Sequence, residues 1–265
     1  MSAPAIWKGI LNIGATKLPV KLYSAVDDKA VHFHILDASG HEPVKQRMVV
    51  PDTGKEVPHE EIRRGLELEP GTFVTFTDEE LAQFDPKESR DIEITRFLPP
   101  EQINHQWYDH PYYLGPDEDA DTGYFAFARA LGNKNLEGVA RWVMRDKHYT
   151  GALQARDGYL VLVTLRHADE VLSAKELPTP SGKAPDPREI QMARQLVAMM
   201  EDEFRPEDFK DEYRDRVMQF IEAKAKGQKP KLKVMKARAA TTSLLDALSA
   251  SLEGAKKPAG GKRVA

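Results

Sequence analysis

The residues of this 265-residue chain best placed to do chemistry are its cations, and they are unevenly spread. Beyond Glu222 eleven Lys and Arg face only Asp246 and Glu253, a surplus of nine positive charges. The first 222 residues carry 27 basic and 40 acidic side chains, so the whole-chain charge of −4 conceals a polarity. A basic, Gly- and Pro-punctuated tail containing Lys229, Lys231, Lys233 and Lys236 suits a polyanion, most often nucleic acid. The alternative is a disordered tail that only keeps the chain soluble.

Other cations fall on candidate sheet faces. Lys17 and Lys21 share one face of an alternating segment, and Arg141 and Arg145 share a face of a later one. Lys45, Arg47, Lys55, Arg63 and Arg64 cluster around Pro51-Asp52-Thr53-Gly54, which reads as a hairpin turn. Sparse cations on a sheet suit phosphate contacts that position a duplex without reading its bases, although each alone is equally an ordinary solvated residue. Residues 65–185 hold 12 bases and 21 acids, so binding requires a segregated channel with the acids turned outward.

Other chemistries find little support. With no cysteine there are no disulfides, thiolate metal sites or cysteine nucleophiles. His32, His34, His41 and His59 lack the spacing of a metal site and read as surface histidines, so no metal or cofactor is expected. Phosphate-binding glycine loops and the nucleophile elbow are absent, and no two carboxylates are paired at a site, so an enzyme is not supported. The N-terminus lacks the charged and apolar regions of a signal peptide, and no apolar run approaches the roughly 20 residues of a membrane span. The expected location is cytoplasmic, in association with the nucleoid.

The elements that must position these cations are mainly strands. Leu18, Val20 and Leu22 oppose Lys17 and Lys21, and Val31, Phe33 and Ile35 likewise oppose His32 and His34. Further strands are expected at 72–77, 91–97, 139–146 and 158–166, the last apolar on both faces. Short helices are expected near 59–64, 78–84 and 122–131. This mixture indicates an antiparallel barrel or sandwich rather than βαβ repeats.

After a Pro-rich linker at 178–187 the pattern becomes helical. Asp186-Pro187 with Glu189 is a helix start, followed by the stripe Ile190, Ala193, Val197, Met200 and Phe204. Pro206 is expected to open a second helix with Phe209, Tyr213, Val217, Phe220 and Ile221 on one face, ended by Gly227. Both stripes must be buried against each other, the barrel or a second subunit. In the tail, Ser243 can cap a short helix that aligns Leu245, Leu248 and Leu252, with Leu244 alongside. A helix of about 10 residues is marginal in water, so it is expected to order in a partner's groove. Folding back on the body is the alternative.

An ordered set of short segments resembles the bacterial Ku family. These are Ile6-Trp7-Lys8-Gly9, Leu18 to Ala25, His32-Phe33-His34, Thr77 to Leu81, Pro111-Tyr112-Tyr113-Leu114 with Pro116-Asp117, and Leu165-Arg166 before Ala168-Asp169-Glu170. In the helical part Met192-Ala193, Gln195-Leu196, Asp211 to Arg214 and Ile221 to Lys224 continue it, so the likeness spans roughly residues 5–226.

The resemblance implies an α+β, mainly β protein: a Ku-type antiparallel β-barrel core with a bridging arm and a C-terminal helical annex, assembled as a ring-shaped homodimer. The divisions would be a barrel core over 1–177 with the bridge at about 40–90, the linker, an annex over 188–226 and a basic flexible tail over 227–265. It further implies sequence-independent binding of double-stranded DNA ends and recruitment of ligase D, an ATP-dependent DNA ligase, in non-homologous end joining, without catalysis by this chain. Lys45, Arg47, Lys55, Arg63 and Arg64 would lie near DNA, and Leu244, Leu245, Leu248 and Leu252 would dock the ligase. Trp107-Tyr108 and the annex helices are candidates for the dimer contact, with a buried core an equally good home for the aromatics. Two departures stand out. The Cys-x-x-Cys pair of some relatives is missing between Val49 and Gly54, and Arg205 stands where Asp would better cap a helix at Pro206, at a cost of about 1 kcal/mol. A protein-interaction scaffold and a general nucleoid protein are the rival readings.

Overall fold

A computed structural model describes residues 4–117, 121–179, 182, 184 and 186–228. The chain divides into two compact units: Met1–Lys29 with Phe33–Glu176 form the first, and the second contains both annex helices.

The first unit is a closed seven-stranded barrel. In chain order its strands are β1 (Trp7–Ile13), β2 (Thr16–Ser24), β5 (Asp91–Leu98), β6 (Tyr108–Pro116), β7 (Glu137–Met144), β8 (Lys147–Arg156) and β9 (Tyr159–Leu165). Around the barrel the order is β1-β2-β6-β9-β8-β7-β5, closed by a parallel seam that sets Leu11 beside Ile92. Every other barrel pairing described is antiparallel. Leu11, Leu18, Val20, Leu22, Ile92, Leu114, Leu153, Leu160 and Leu162 point inward and are fully or almost fully buried. Burying each such side chain contributes roughly 1.5–3 kcal/mol. Helix α2 (Asp121–Lys134) packs on β8 and β9 through Tyr124, Ala128 and Leu131. The Tyr124 hydroxyl donates to the Leu114 carbonyl and accepts from the Leu160 amide at 2.8 Å, tying α2 to two strands.

Between β2 and β5 the chain leaves the barrel. This excursion holds a 3₁₀ turn at His59–Glu61, a separate hairpin of β3 (Arg64–Glu69) and β4 (Thr72–Phe76), and helix α1 (Asp78–Ala82). Thr77 and Glu80 close a reciprocal capping box on α1. No residue from Ala25 to Arg90 is buried.

Several expectations are corrected. Val31–Ile35 forms no strand, and Phe33 and Ile35 are exposed, because alternation alone cannot make a strand when a closed barrel offers no edge. The helix expected at 59–64 is a single 3₁₀ turn, and Arg64 begins β3. Strands β1, β3, β6 and β8 were not foreseen. Pro111 disguised β6, where it sits at a register shift that spares the ladder the missing amide donor. Arg145 does not share a strand face with Arg141: it lies in the β7–β8 turn at φ 52°, followed by Asp146 at φ 60°.

In the annex, α3 (Pro187–Met199) starts as expected, with Asp186 accepting from the Arg188 amide at 2.7 Å and Glu189 accepting from the Asp186 amide at 2.8 Å. It ends before Phe204, which instead stacks on Phe209 at 5.1 Å. Pro206 opens only a 3₁₀ turn, and α4 (Glu212–Ala225) begins after Asp211, whose side chain accepts from the Arg214 amide. The uncapped position at Arg205 therefore costs α4 nothing. The stripe residues Val197, Met200, Phe209 and Tyr213 are exposed.

Candidate nucleic-acid interface

On the outer barrel face, residues alternate with the buried leucines, and the β1–β2 register sets Lys8 opposite Lys21 and Asn12 opposite Lys17. Lys8 and Lys21 converge on Asp117 at the end of β6, with Nζ to carboxylate distances of 3.0 and 2.5 Å. Hydrogen bonds from Lys21 first and Lys8 second hold the Asp117 carboxyl below the ordinary aspartate range. The pair leaves one net positive charge fixed in position. Lys17 is exposed beside Asn12, whose amide donates to Asp91 at 2.9 Å. Arg141 is also exposed and stands opposite Glu93 of β5 and Thr150 of β8.

The five cations of the 45–64 segment have different immediate partners. Arg47 and Lys55 sit on a small hairpin bridged at Val49 and Glu56, where Gly54 takes φ 63° and Arg47 pairs with Glu56 at 2.8 Å. Arg63 donates to its own backbone at Glu60 and Ile62, and Arg64 faces Asp78 at 3.7 Å. Those two arginines line a cleft of about 360 Å³ with His59, Phe76, Thr77 and Glu79. Across residues 25–90 eight bases meet fifteen acids, so the excursion as a whole is acidic and only its local arginine sites can favour an anion. Lys45 is exposed within it. Lys229, Lys231, Lys233, Lys236 and the leucines at 244, 245, 248 and 252 lie outside the described residues.

Two cations escaped the sequence reading. Lys8 and Arg90 join Arg145 around a cleft of about 620 Å³, lined also by Trp7, Val143, Met144, Glu88, Ser89 and Asp146. They come from the first strand, the end of the excursion and a hairpin turn, so no local spacing reveals them. Tyr108 is engaged internally: its hydroxyl donates to Glu137 at 2.7 Å, and burial followed by that carboxylate pushes its phenol well above the ordinary value. Arg166 ties the β9 end to β6 through the Tyr108 carbonyl and the Asp109 carboxylate. Among the described residues no group of three or more His, Asp or Glu could hold a metal ion, and no helix is long and apolar enough to cross a membrane.

A closed barrel whose strands β2 and β5 are separated by an exposed excursion, with cations scattered over both, is the architecture these residues build. The family model of the Ku70/Ku80 beta-barrel domain matches residues 12–192. The chain is 40% identical over 257 residues to the non-homologous end joining protein Ku of Anaeromyxobacter sp. (strain K), covering 96% of this chain and 87% of that protein. It is 35% identical over 253 residues to the protein of the same name from Archaeoglobus fulgidus, covering 95% and 99%. The Pseudomonas aeruginosa protein is 35% identical over 230 residues, covering 85% and 78%. The chain belongs to the Ku family.

Proposed function

We propose that this chain binds double-stranded DNA ends without sequence preference as a homodimeric ring, and that it recruits ligase D for non-homologous end joining. The observation that carries the reading is the excursion. Sixty-six consecutive residues, 25–90, contain no buried side chain, yet Phe33, Met48, Leu66, Leu68, Phe73 and Phe84 are each more than half exposed. An apolar surface of that extent calls for a partner, and a second copy of the same arm would cover it while enclosing a hole. The names of the relatives support DNA-end joining as the process served. A ring holds a duplex topologically, so phosphate contacts suffice and affinity falls by about 0.9 log units per neutralised phosphate per log unit of salt.

The test compares a linear duplex with a relaxed circle of the same sequence. Binding to the linear form alone is expected, and equal affinity for both would overturn the ring. For the ligase, a chain ending at Gly227 is expected to keep end binding and to lose ligase stimulation. Full stimulation by that chain would remove Leu244, Leu245, Leu248 and Leu252 from the docking role.

One observation favours the scaffold reading: Lys21, Arg47 and Arg64 are each paired with an internal carboxylate, and the excursion is acidic. A gel shift on blunt duplex at moderate salt separates the two, since a scaffold gives no shift.

A further inference from the structure

We infer that the cleft of Lys8, Arg90 and Arg145 at the end of the barrel is a binding site for backbone phosphodiesters of duplex DNA. The inference rests on the DNA-binding reading above and adds a site to it. The two guanidiniums differ from Arg47 and Arg64, each of which faces a carboxylate. Among the described residues neither Arg90 nor Arg145 has a carboxylate at ion-pair distance, although Glu88 and Asp146 also line the cleft. Lys8 shares its one carboxylate, Asp117, with Lys21.

Both arginines are held by backbone rather than by side-chain contacts. The Arg90 carbonyl accepts from the Ile10 amide at 2.7 Å, and a Cβ on Gly9 would lie 2.6 Å from that same oxygen, so β1 grips the chain at Arg90. Arg145 and Asp146 occupy both central positions of a two-residue hairpin at positive φ, where Asn-Gly is the unstrained choice. A non-glycine pair held in this conformation persists only where the surrounding structure imposes it, and such pairs cluster at functional sites. The contrast is internal, because the β8–β9 hairpin uses Asp157-Gly158 at the same geometry. Trp7, Val143 and Met144 line the same cleft beside the two guanidiniums. A guanidinium fork matches two phosphate oxygens at once, and Lys8 adds a point charge.

The experiment uses the full chain carrying Arg90→Gln with Arg145→Gln, and measures duplex affinity against salt. The slope of log K on log salt is expected to fall by about 2 in magnitude, from two lost phosphate contacts. An unchanged slope overturns the site. The second variant, Arg145→Asn with Asp146→Gly, keeps the hairpin in its preferred chemistry: its melting temperature is expected to rise while its salt slope falls by about 1. A rise in melting temperature with the slope intact also overturns the site. Inorganic phosphate, titrated by tryptophan fluorescence, separates the two sources of the anion. Saturation that needs Arg90 and Arg145, combined with an unchanged DNA slope, would assign the cleft to a small anion and overturn the DNA assignment. Because the slope counts phosphate contacts on any duplex, equal binding of circle and linear DNA by the unaltered protein defeats the ring without touching this result.

Discussion

Asp117 is the residue where fold and proposed function compete most directly. Its carboxylate pins Lys8 and Lys21 together, and in doing so spends two cations on stability. Its folded pKa is depressed, so the contribution is present above the unfolded carboxylate value of about 3.9 and is lost as pH falls through the folded one. Asp117→Asn is expected to be less stable than the unaltered protein near neutral pH, with the deficit closing in acid. Urea denaturation at several pH values checks this, and a deficit unchanged in acid would remove the ion pairs as its cause. The same variant removes the negative charge beside Lys8 and Lys21 and is expected to steepen the salt dependence of duplex binding. Tyr124 plays a purely structural part: its phenol, pushed up to about 12 mainly by burial, serves a strand carbonyl and a strand amide together. Tyr124→Phe is expected to cost about 1–3 kcal/mol by leaving the Leu160 amide unpaired, measured by denaturant midpoint.

Among the elements, the seam between β1 and β5 depends on Gly9. A Cβ there would meet the Trp7 ring at 2.2 Å and the Arg90 carbonyl at 2.6 Å, and backbone cannot step aside as a side chain can. Gly9→Ala is expected to destabilise the barrel by about 1–3 kcal/mol, seen as a lower melting temperature. Much of the element order was legible from sequence. The alternation around Leu18, Val20 and Leu22 marks β2, the run from Tyr159 to Leu165 marks β9, and Asp186-Pro187 with Glu189 marks the start of α3. What stayed hidden has physical causes. Arg145-Asp146 carries no turn signal, since residues with a Cβ rarely take positive φ twice, and so the strand expected at 139–146 runs into the turn and β8 goes unread. Pro111 argued against a strand that tolerates it at an irregular register. Val31 to Ile35 alternates correctly but has no edge to join. Of the site, the strand and excursion cations were nameable, whereas the meeting of Lys8 with Arg90 and Arg145 is a product of barrel closure.

At the scale of the molecule, the exposed β3–β4 hairpin is the place to test self-association. Leu66 pairs with Val74 across it, and both are exposed. Leu66→Asp with Val74→Asp is expected to leave the barrel's melting behaviour intact and to halve the particle mass seen by light scattering, with end binding lost. A dimer mass that survives both charges would move the self-contact elsewhere. The parallel closure of β1 on β5 carries one more implication. The first strand waits some eighty residues for its neighbour, so a growing polypeptide cannot seal the cylinder until the whole detour has been made. The entropic toll of that wait rises only logarithmically, about 0.6 kcal/mol for each doubling of the detour. Insertions and deletions at its outer reaches are therefore cheap for the cylinder, and evolution is free to adjust the length of the detour while leaving the wall untouched.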